Sequence, residues 1–269
     1  MPVKGTSFIR VAGLLAAAFA VMTIAATAHA APLYLWPGAG DGTTDRLIDR
    51  IAPPNGFERV PVDDGSFAEW LRHLPLRPPQ TPVRLYDGRL KWSQDKHEAV
   101  INIDTGKRNL QQCADAVMRL RAEYLLASGR ARDIAFNYTN GKRVPYRGKA
   151  TDRKAFQRYM IQIFAYAGTY SLEREMTPVA LGDMRIGDVF IKGGFPGHAV
   201  LVVDMAVSEA TGEKRFLLAQ SYMPAQDMHI LKNPGSADGS PWYGLPDPKG
   251  ELITPEWVFK ASALRRFKS

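Results

Sequence analysis

Residues 187–204 read GDVFIKGGFPGHAVLVVD, and residues 216–222 read FLLAQSY. Glycines and a proline interrupt the chain just before His198, and a continuous apolar run follows it. Short apolar runs bounded by glycine and proline are typical of buried strands. The two segments, with a turn at 210–213, therefore predict an antiparallel hairpin in which His198 begins the first strand. Residues 228–231 are a candidate third strand.

Shorter elements are predicted on both sides of this hairpin. Helices should follow the N-caps Ser66 and Asp152, and strands are expected at 83–86 and 99–103. Weaker patterns indicate a strand at 34–36, helices at 44–51 and 254–259, and a hairpin that turns at 140–141. Together these elements predict an α+β fold, with one mainly antiparallel sheet packed against helices.

The N-terminus has the pattern of a secretory signal peptide. Lys4 and Arg10 precede an alanine-rich apolar segment, and Ala28-His29-Ala30 is a small-x-small cleavage site. No later apolar run reaches the roughly 18 residues that span a bilayer. We therefore expect an exported protein, periplasmic or secreted, that does not span the membrane and is a monomer.

The predicted organisation is a signal peptide at 1–30 and a single α+β domain at 31–269. Within the domain, residues 31–98 are expected to wrap over the core, residues 99–231 to form the catalytic part, and residues 232–269 to form a loop and a last helix. Cys113 is the single cysteine, so no disulfide can form within the chain.

The chain is basic, with a formal net charge of +8, of which two positive charges lie in the first thirty residues. An exported basic protein can meet anionic envelope polymers, whereas nucleic acid is not expected as a partner outside the cytoplasm. Residues 134–150 combine basic and aromatic side chains, and Trp242 and Tyr243 lie in a later loop. These segments could hold such a polymer.

Cys113 lies in residues 109–126, which read NLQQCADAVMRLRAEYLL. Asn109, with Gln112 three residues later, has the capping-box pattern and would place Cys113 in the first turn of a helix. Thr105 is a competing N-cap that would place Cys113 one turn deeper. The helical spacing puts Cys113 on the buried stripe and lets Arg119 and Glu123 pair on the outer face. The apolar members of that stripe are Val117, Leu120 and Tyr124.

These residues suggest nucleophilic catalysis by cysteine. Such catalysis needs a thiol, an imidazole that takes and returns its proton, and commonly a polar group that orients the imidazole. A helix N-terminus would also lower the thiol pKa and bind an oxyanion. We assign Cys113 as nucleophile and His198 as base. Gln220 or Ser221 is the orienting residue, depending on strand register, and Gln220 is preferred because its amide oxygen can accept the imidazole N–H.

Other polar residues are weaker candidates. His73 and His229 are expected to be bystanders, and His97 to be exposed. No H-E-x-x-H pattern or cysteine pair occurs, so neither a metal nor a cofactor is predicted.

The order of these features resembles the NlpC-type papain-like cell-wall peptidases. In both, a cysteine at a helix start precedes a Gly-Asp strand, a Gly-His strand and a strand that ends in a polar residue. The resemblance covers residues 99–230 and implies a papain-like core in which Cys113, His198 and Gln220 cleave amides of peptidoglycan stem peptides. The family's usual Asp-Cys-Ser/Thr-Gly is Gln112-Cys113-Ala114-Asp115 here. The runs QCADAVMRLRAEYL and FPGHAV are also similar to a group of secreted bacterial proteins of unassigned function.

The predicted function is therefore an exported thiol hydrolase that cleaves cell-wall peptide amides through a Cys113–His198 pair. The alternative is a non-catalytic binding domain on the same scaffold, which holds a wall polymer with the 134–150 segment and Trp242 and Tyr243. The two hypotheses differ in whether Cys113 is chemically active.

Overall fold

The computed structural model describes residues 1–2, 33–40 and 45–268. The chain divides into two compact units, residues 1–30 and residues 31–269. The predicted signal sequence, including its cleavage site, lies outside the described residues. The following description concerns residues 31–269.

The second unit contains five α-helices and thirteen short or medium strands among its described residues. The helices are α1 Leu47–Arg50, α2 Phe67–Arg72, α3 Cys113–Ala127, α4 Arg153–Tyr166 and α5 Thr169–Glu175. The strands are β1 Glu58–Arg59, β2 His97–Val100, β3 Ala135–Asn137, β4 Arg143–Pro145, β5 Thr177–Pro178, β6 Val189–Lys192, β7 His198–Val207, β8 Lys214–Gln220, β9 His229–Leu231, β10 Tyr243–Gly244, β11 Glu251–Ile253, β12 Val258–Lys260 and β13 Leu264–Arg266.

Nine of these strands form one antiparallel sheet in the order β2-β9-β8-β7-β6-β13-β5, with β1 paired to β7 and β10 paired to β8. The central strand β7 is buried along almost its whole length, since α2 and α3 pack against it. The predicted α+β class and mainly antiparallel sheet are confirmed. The predicted hairpin of the opening segment is β7–β8, and β9 is the third strand beside it.

Helix α3 is the central helix of the unit, and almost every residue after Cys113 is buried. The prediction that Arg119 and Glu123 pair on an outer face is wrong, because both side chains are buried and their ion pair, at 2.6 Å, lies inside the protein. Arg119 also donates to Gln111 Oε1 at 2.9 Å and to Asp104 Oδ1 at 3.1 Å. A buried guanidinium needs these acceptors, because an unpaired buried charge is strongly unfavourable.

The start of α3 differs from the prediction in its capping residue. Gln112 is the N-cap, and its backbone N–H donates to Asp115 Oδ2 at 3.0 Å. Asn109 lies outside the helix and accepts a hydrogen bond from Ala225 N at 2.7 Å. Neither Asn109 nor Thr105 begins the helix, but the placement of Cys113 in the first turn is confirmed.

Several local predictions are confirmed and others are wrong. Ser66 and Asp152 cap α2 and α4 with their side chains, and β3–β4 is the expected hairpin. The predicted helix at 254–259 is instead part of the β11–β12 hairpin. Residues 83–86 form only isolated bridges, 34–36 form no strand, and α5 was not predicted.

Candidate active site

Cys113 is the first residue of α3, and its side chain is partly exposed. Its Sγ lies 4.0 Å from the carbonyl oxygen of Gly197, the residue before His198. The backbone N–H of Ala199, the residue after His198, also interacts with the sulfur. The thiol therefore lies against the two residues that flank the predicted base.

Gly197 packs so closely against neighbouring residues that a side chain would not fit at this position. A Cβ at this position would lie 2.2 Å from Thr169 Oγ1 and 2.5 Å from the carbonyl oxygen of Lys192. Because real Cβ atoms do not approach other atoms so closely, only glycine fits here. The glycine before His198 is therefore needed to place the start of β7.

The thiol is neutral in the free protein. Burial and, to a smaller extent, the neighbouring Asp115 carboxylate raise the pKa of Cys113 to about 11. The backbone N–H groups of Ala114, Ala199 and Cys113 itself act in the opposite direction but are the smaller influence. The N–H groups at the helix N-terminus act on the thiol pKa in the predicted direction, but the net shift is upward because desolvation outweighs them.

Asp115 is a buried acid beside the thiol that sequence reasoning did not assign a role. Burial raises its pKa well above the ordinary value. Its Oδ2 accepts the N-cap hydrogen bond, whereas its Oδ1 is buried with no partner among the described residues. The start of α3 thus contains a second titratable group that influences the thiol.

His198 is the first residue of β7 and is only 1% exposed. Its ring packs against the rings of Tyr222, Trp257 and Phe259, with centroid distances of 4.7, 5.3 and 5.8 Å. Burial lowers the pKa of His198 to about 4, although its hydrogen bond to Gln220 acts in the opposite direction. The imidazole is therefore uncharged at neutral pH, which a general base requires.

Gln220, rather than Ser221, contacts the imidazole. His198 Nε2 and Gln220 Oε1 are 2.9 Å apart, whereas Ser221 Oγ donates to the carbonyl oxygens of Gln111 and Gln226. A carbonyl oxygen only accepts hydrogen bonds, so Nε2 of the neutral ring carries the proton. The lone pair is consequently on Nδ1, which has no hydrogen-bond partner among the described residues.

The orientation of the Gln220 amide is fixed by groups beyond it. Its Nε2 donates to Glu256 Oε2 at 2.6 Å, and Lys91 Nζ donates to the same oxygen at 2.6 Å. A carboxylate cannot donate, so the amide nitrogen must face Glu256 and the amide oxygen must face His198. The Lys91–Glu256 pair is almost completely buried. This ion pair therefore fixes the orientation of the Gln220 amide. The hydrogen bond from His198 to that amide in turn selects the His198 tautomer.

His229 extends the same network on the other side of Gln220. Its Nδ1 lies 2.9 Å from the carbonyl oxygen of Asp227, and its Nε2 lies 3.3 Å from Gln220 Nε2. The first contact requires a proton on Nδ1, so Nε2 accepts from Gln220. Burial lowers the pKa of His229 to about 3. His229 lies away from the thiol but takes part in orienting Gln220, a role that its sequence context did not reveal.

A groove of about 600 Å³ shares two lining residues with the surroundings of the imidazole, although neither Cys113 nor His198 lines it. Tyr222 and Trp257, which contact His198, form part of its wall, and Trp92 and Lys96 form another part. Trp92 is 85% exposed, and Lys96 Nζ lies 4.7 Å from the centre of its ring. The groove offers a ligand an aromatic and charged surface that includes two residues in contact with the candidate base.

The remaining predicted candidates lie elsewhere. Trp242 and Tyr243 are buried and donate to the carbonyl oxygens of Ala52 and Lys232, so their predicted role in an exposed binding surface is wrong. His97 is half-buried, not exposed. His73 Nδ1 donates to the carbonyl oxygen of Glu69, within its own local turn. Within the described ranges, no cluster of His, Cys, Asp or Glu has the arrangement of a metal site.

The chain belongs to a protein family described as a domain of unknown function (4846), whose model matches residues 47–151 and 146–266. This agrees with the expected grouping among proteins of unassigned function. No curated protein and no solved structure matches the chain. Among the described residues, no helix is both long and apolar enough to cross a bilayer.

Proposed function

We propose that the chain is a papain-like cysteine hydrolase that cleaves amide bonds. The main support is the His198 ring: Gln220 holds its Nε2–H, which leaves the Nδ1 lone pair without a partner beside the backbone that Cys113 contacts. An oriented imidazole with one basic nitrogen near a partly exposed thiol is the arrangement that nucleophilic catalysis uses. A helix that starts at the cysteine and packs on the antiparallel sheet bearing the histidine also supports a papain-like core.

In the proposed reaction, Cys113 Sγ attacks the amide carbon and its proton passes to His198 Nδ1. Since the free thiol and imidazole are both neutral at pH 7, the proton moves during the attack and not before it. The N–H groups at the start of α3 bind the oxyanion. His198 then protonates the leaving amine, and a water molecule, deprotonated by His198, hydrolyses the thioester.

The proposed substrate is cell-wall peptide, and the proposed location is outside the cytoplasm. The resemblance to NlpC-type peptidases and the aromatic groove lined by Tyr222 and Trp257 support the substrate. The N-terminal segment, with its Ala28-His29-Ala30 site, supports export. N-terminal sequencing of the protein recovered from its native cells should begin at Ala31, and a chain that retains Met1 would contradict export.

Digestion of purified peptidoglycan tests the reaction. The wild type should release new amino termini, while Cys113→Ala and His198→Ala should lose that activity. The matched control is His73→Ala, which removes the histidine that caps the C-terminal end of α2, outside the network around His198, and should leave the activity unchanged. Equal product from the wild type and Cys113→Ala would remove Cys113 from the mechanism and favour a non-catalytic binding domain.

A further inference from the structure

A second cavity, of about 490 Å³, lies away from Cys113 and His198. The C-terminal part of α3, the β3–β4 hairpin and α5 form its walls, with Arg121, Asn137, Arg143, Arg174 and Glu175 among the lining residues. None of these residues contacts the network around Gln220. We call this space the basic cavity.

The basic cavity is lined by six cations and only two carboxylates, Asp133 and Glu175, so positive charge is in excess there. Its other titratable lining residues include Arg130 and Asp133, which pair with each other at 2.7 Å. Within residues 33–40 and 45–268, no carboxylate forms an ion pair with the remaining lining cations, which are Arg121, Arg132, Arg143, Arg174 and Lys268. By contrast, the arginines that contact the sheet are paired, as Arg72 is with Asp204. A group of cations in excess over the nearby carboxylates attracts an anion.

Two buried oxygens in the same wall lack partners. Asn137 Oδ1 and Glu175 Oε1 are both inaccessible and have no hydrogen-bond partner among the described residues. Glu175 Oε2 accepts from Asn137 N at 3.0 Å, so only one oxygen of this carboxyl group is satisfied. Burial raises the pKa of Glu175 to about 7. Unsatisfied buried polar atoms are rare and indicate a missing partner, which here would be a ligand hydroxyl.

We propose that the basic cavity binds an anionic polyol, such as a sugar phosphate or a polyol phosphate. Arginine forks match phosphate oxygens, so Arg143 and Arg174 would hold the anionic group. Both oxygens are closed to solvent in the unliganded protein, so the Asn137 and Glu175 side chains would turn toward the cavity on binding and then accept from the ligand hydroxyls. An adjoining cavity shares Arg130 and Arg132 with the basic cavity and adds Arg147 and Lys149. A polymer of such units could therefore continue across the basic face. This site is independent of the proposed hydrolase.

Isothermal titration of the full chain with glycerol 1-phosphate tests the site, with inorganic phosphate and glycerol as fragment controls. Glycerol 1-phosphate should bind, phosphate should bind more weakly, and glycerol should not bind. Arg143→Gln and Arg174→Gln should each weaken binding of glycerol 1-phosphate about tenfold, since each removes one charge-assisted contact. Exposed Arg185 lies outside the cavity, so Arg185→Gln is the matched control and should bind as the wild type does.

A further variant tests the hydroxyl contact by itself. Asn137→Leu should reduce the affinity for glycerol 1-phosphate toward that for phosphate, since Glu175 Oε1 remains, and should leave phosphate binding unchanged. Cys113→Ala should bind as the wild type does, which separates this site from the proposed catalysis. No binding of glycerol 1-phosphate, equal affinity for phosphate, or full affinity in a variant that lacks both Arg143 and Arg174 would overturn the proposal.

Discussion

Acidification should destabilise the protein through His198. Burial lowers its folded-state pKa from 6.5 to about 4. Between these two values the unfolded chain binds a proton that the folded chain does not, so stability falls as the pH falls from about 6.5 to about 4. At about 1.4 kcal/mol per pKa unit, the loss from this residue between pH 7 and pH 5 is about 2 kcal/mol. Below pH 4 the residue contributes no further loss.

Chemical denaturation at pH 7, 6 and 5 measures this effect when the wild type and His198→Gln are compared. The difference between the two curves of unfolding free energy against pH removes the contributions of the other titrating groups. One of these is Glu175, whose raised pKa makes stability change with pH in the opposite direction over the same range. The wild type should lose about 2 kcal/mol more than His198→Gln on going from pH 7 to pH 5. His229→Gln should show a similar difference, and Cys113→Ala should follow the wild type. Parallel curves for the wild type and His198→Gln would refute the buried, uncharged imidazole.

Three other substitutions test separate contacts. Asp115→Asn keeps the N-cap acceptor and removes a negative charge, so the Cys113 thiol pKa should fall and alkylation at a fixed pH should become faster; an unchanged rate would contradict the electrostatic coupling. Gln220→Leu removes the acceptor that selects the His198 tautomer, so nitrogen NMR should show loss of the single Nε2–H form, and its retention would contradict the role of the amide. Asp204→Asn should lower the free energy of unfolding by about 3 kcal/mol, because its two arginines lose a buried counter-ion; a loss below about 1 kcal/mol, measured by urea denaturation, would contradict this.

The sequence best predicted those elements whose structure depends on residues that are close together in the chain. The β7–β8 hairpin follows from two apolar runs and a short turn, and Cys113 begins a helix although the N-cap is Gln112. The C-terminal prediction failed because Thr254-Pro255 resembles a helix start, whereas the pairing of β11 with β12 determines the conformation of residues 258–260.

The candidate site was only partly predictable, because its orienting contacts come from distant segments. The choice between Gln220 and Ser221 depends on strand register, and β7 and β8 contain an irregularity between Val202 and Asp204 that no local pattern indicates. Lys91 and Glu256 are separated by 165 positions, so their pairing could not be inferred from spacing. The direction of the thiol pKa shift also depends on tertiary burial, which outweighs the local helix effect.

The central claim is that His198 is the base for Cys113, and the pH dependence of alkylation tests it without a substrate. Cys113 is the only cysteine, so iodoacetamide reports on this thiol alone. If neutral His198 takes the thiol proton during attack, the wild-type rate should be nearly constant from about pH 5 to about pH 8 and about 100-fold above that of His198→Ala at pH 6. The His198→Ala rate should rise tenfold per pH unit, because only thiolate reacts. A tenfold rise per unit in both proteins, with equal rates, would contradict the account.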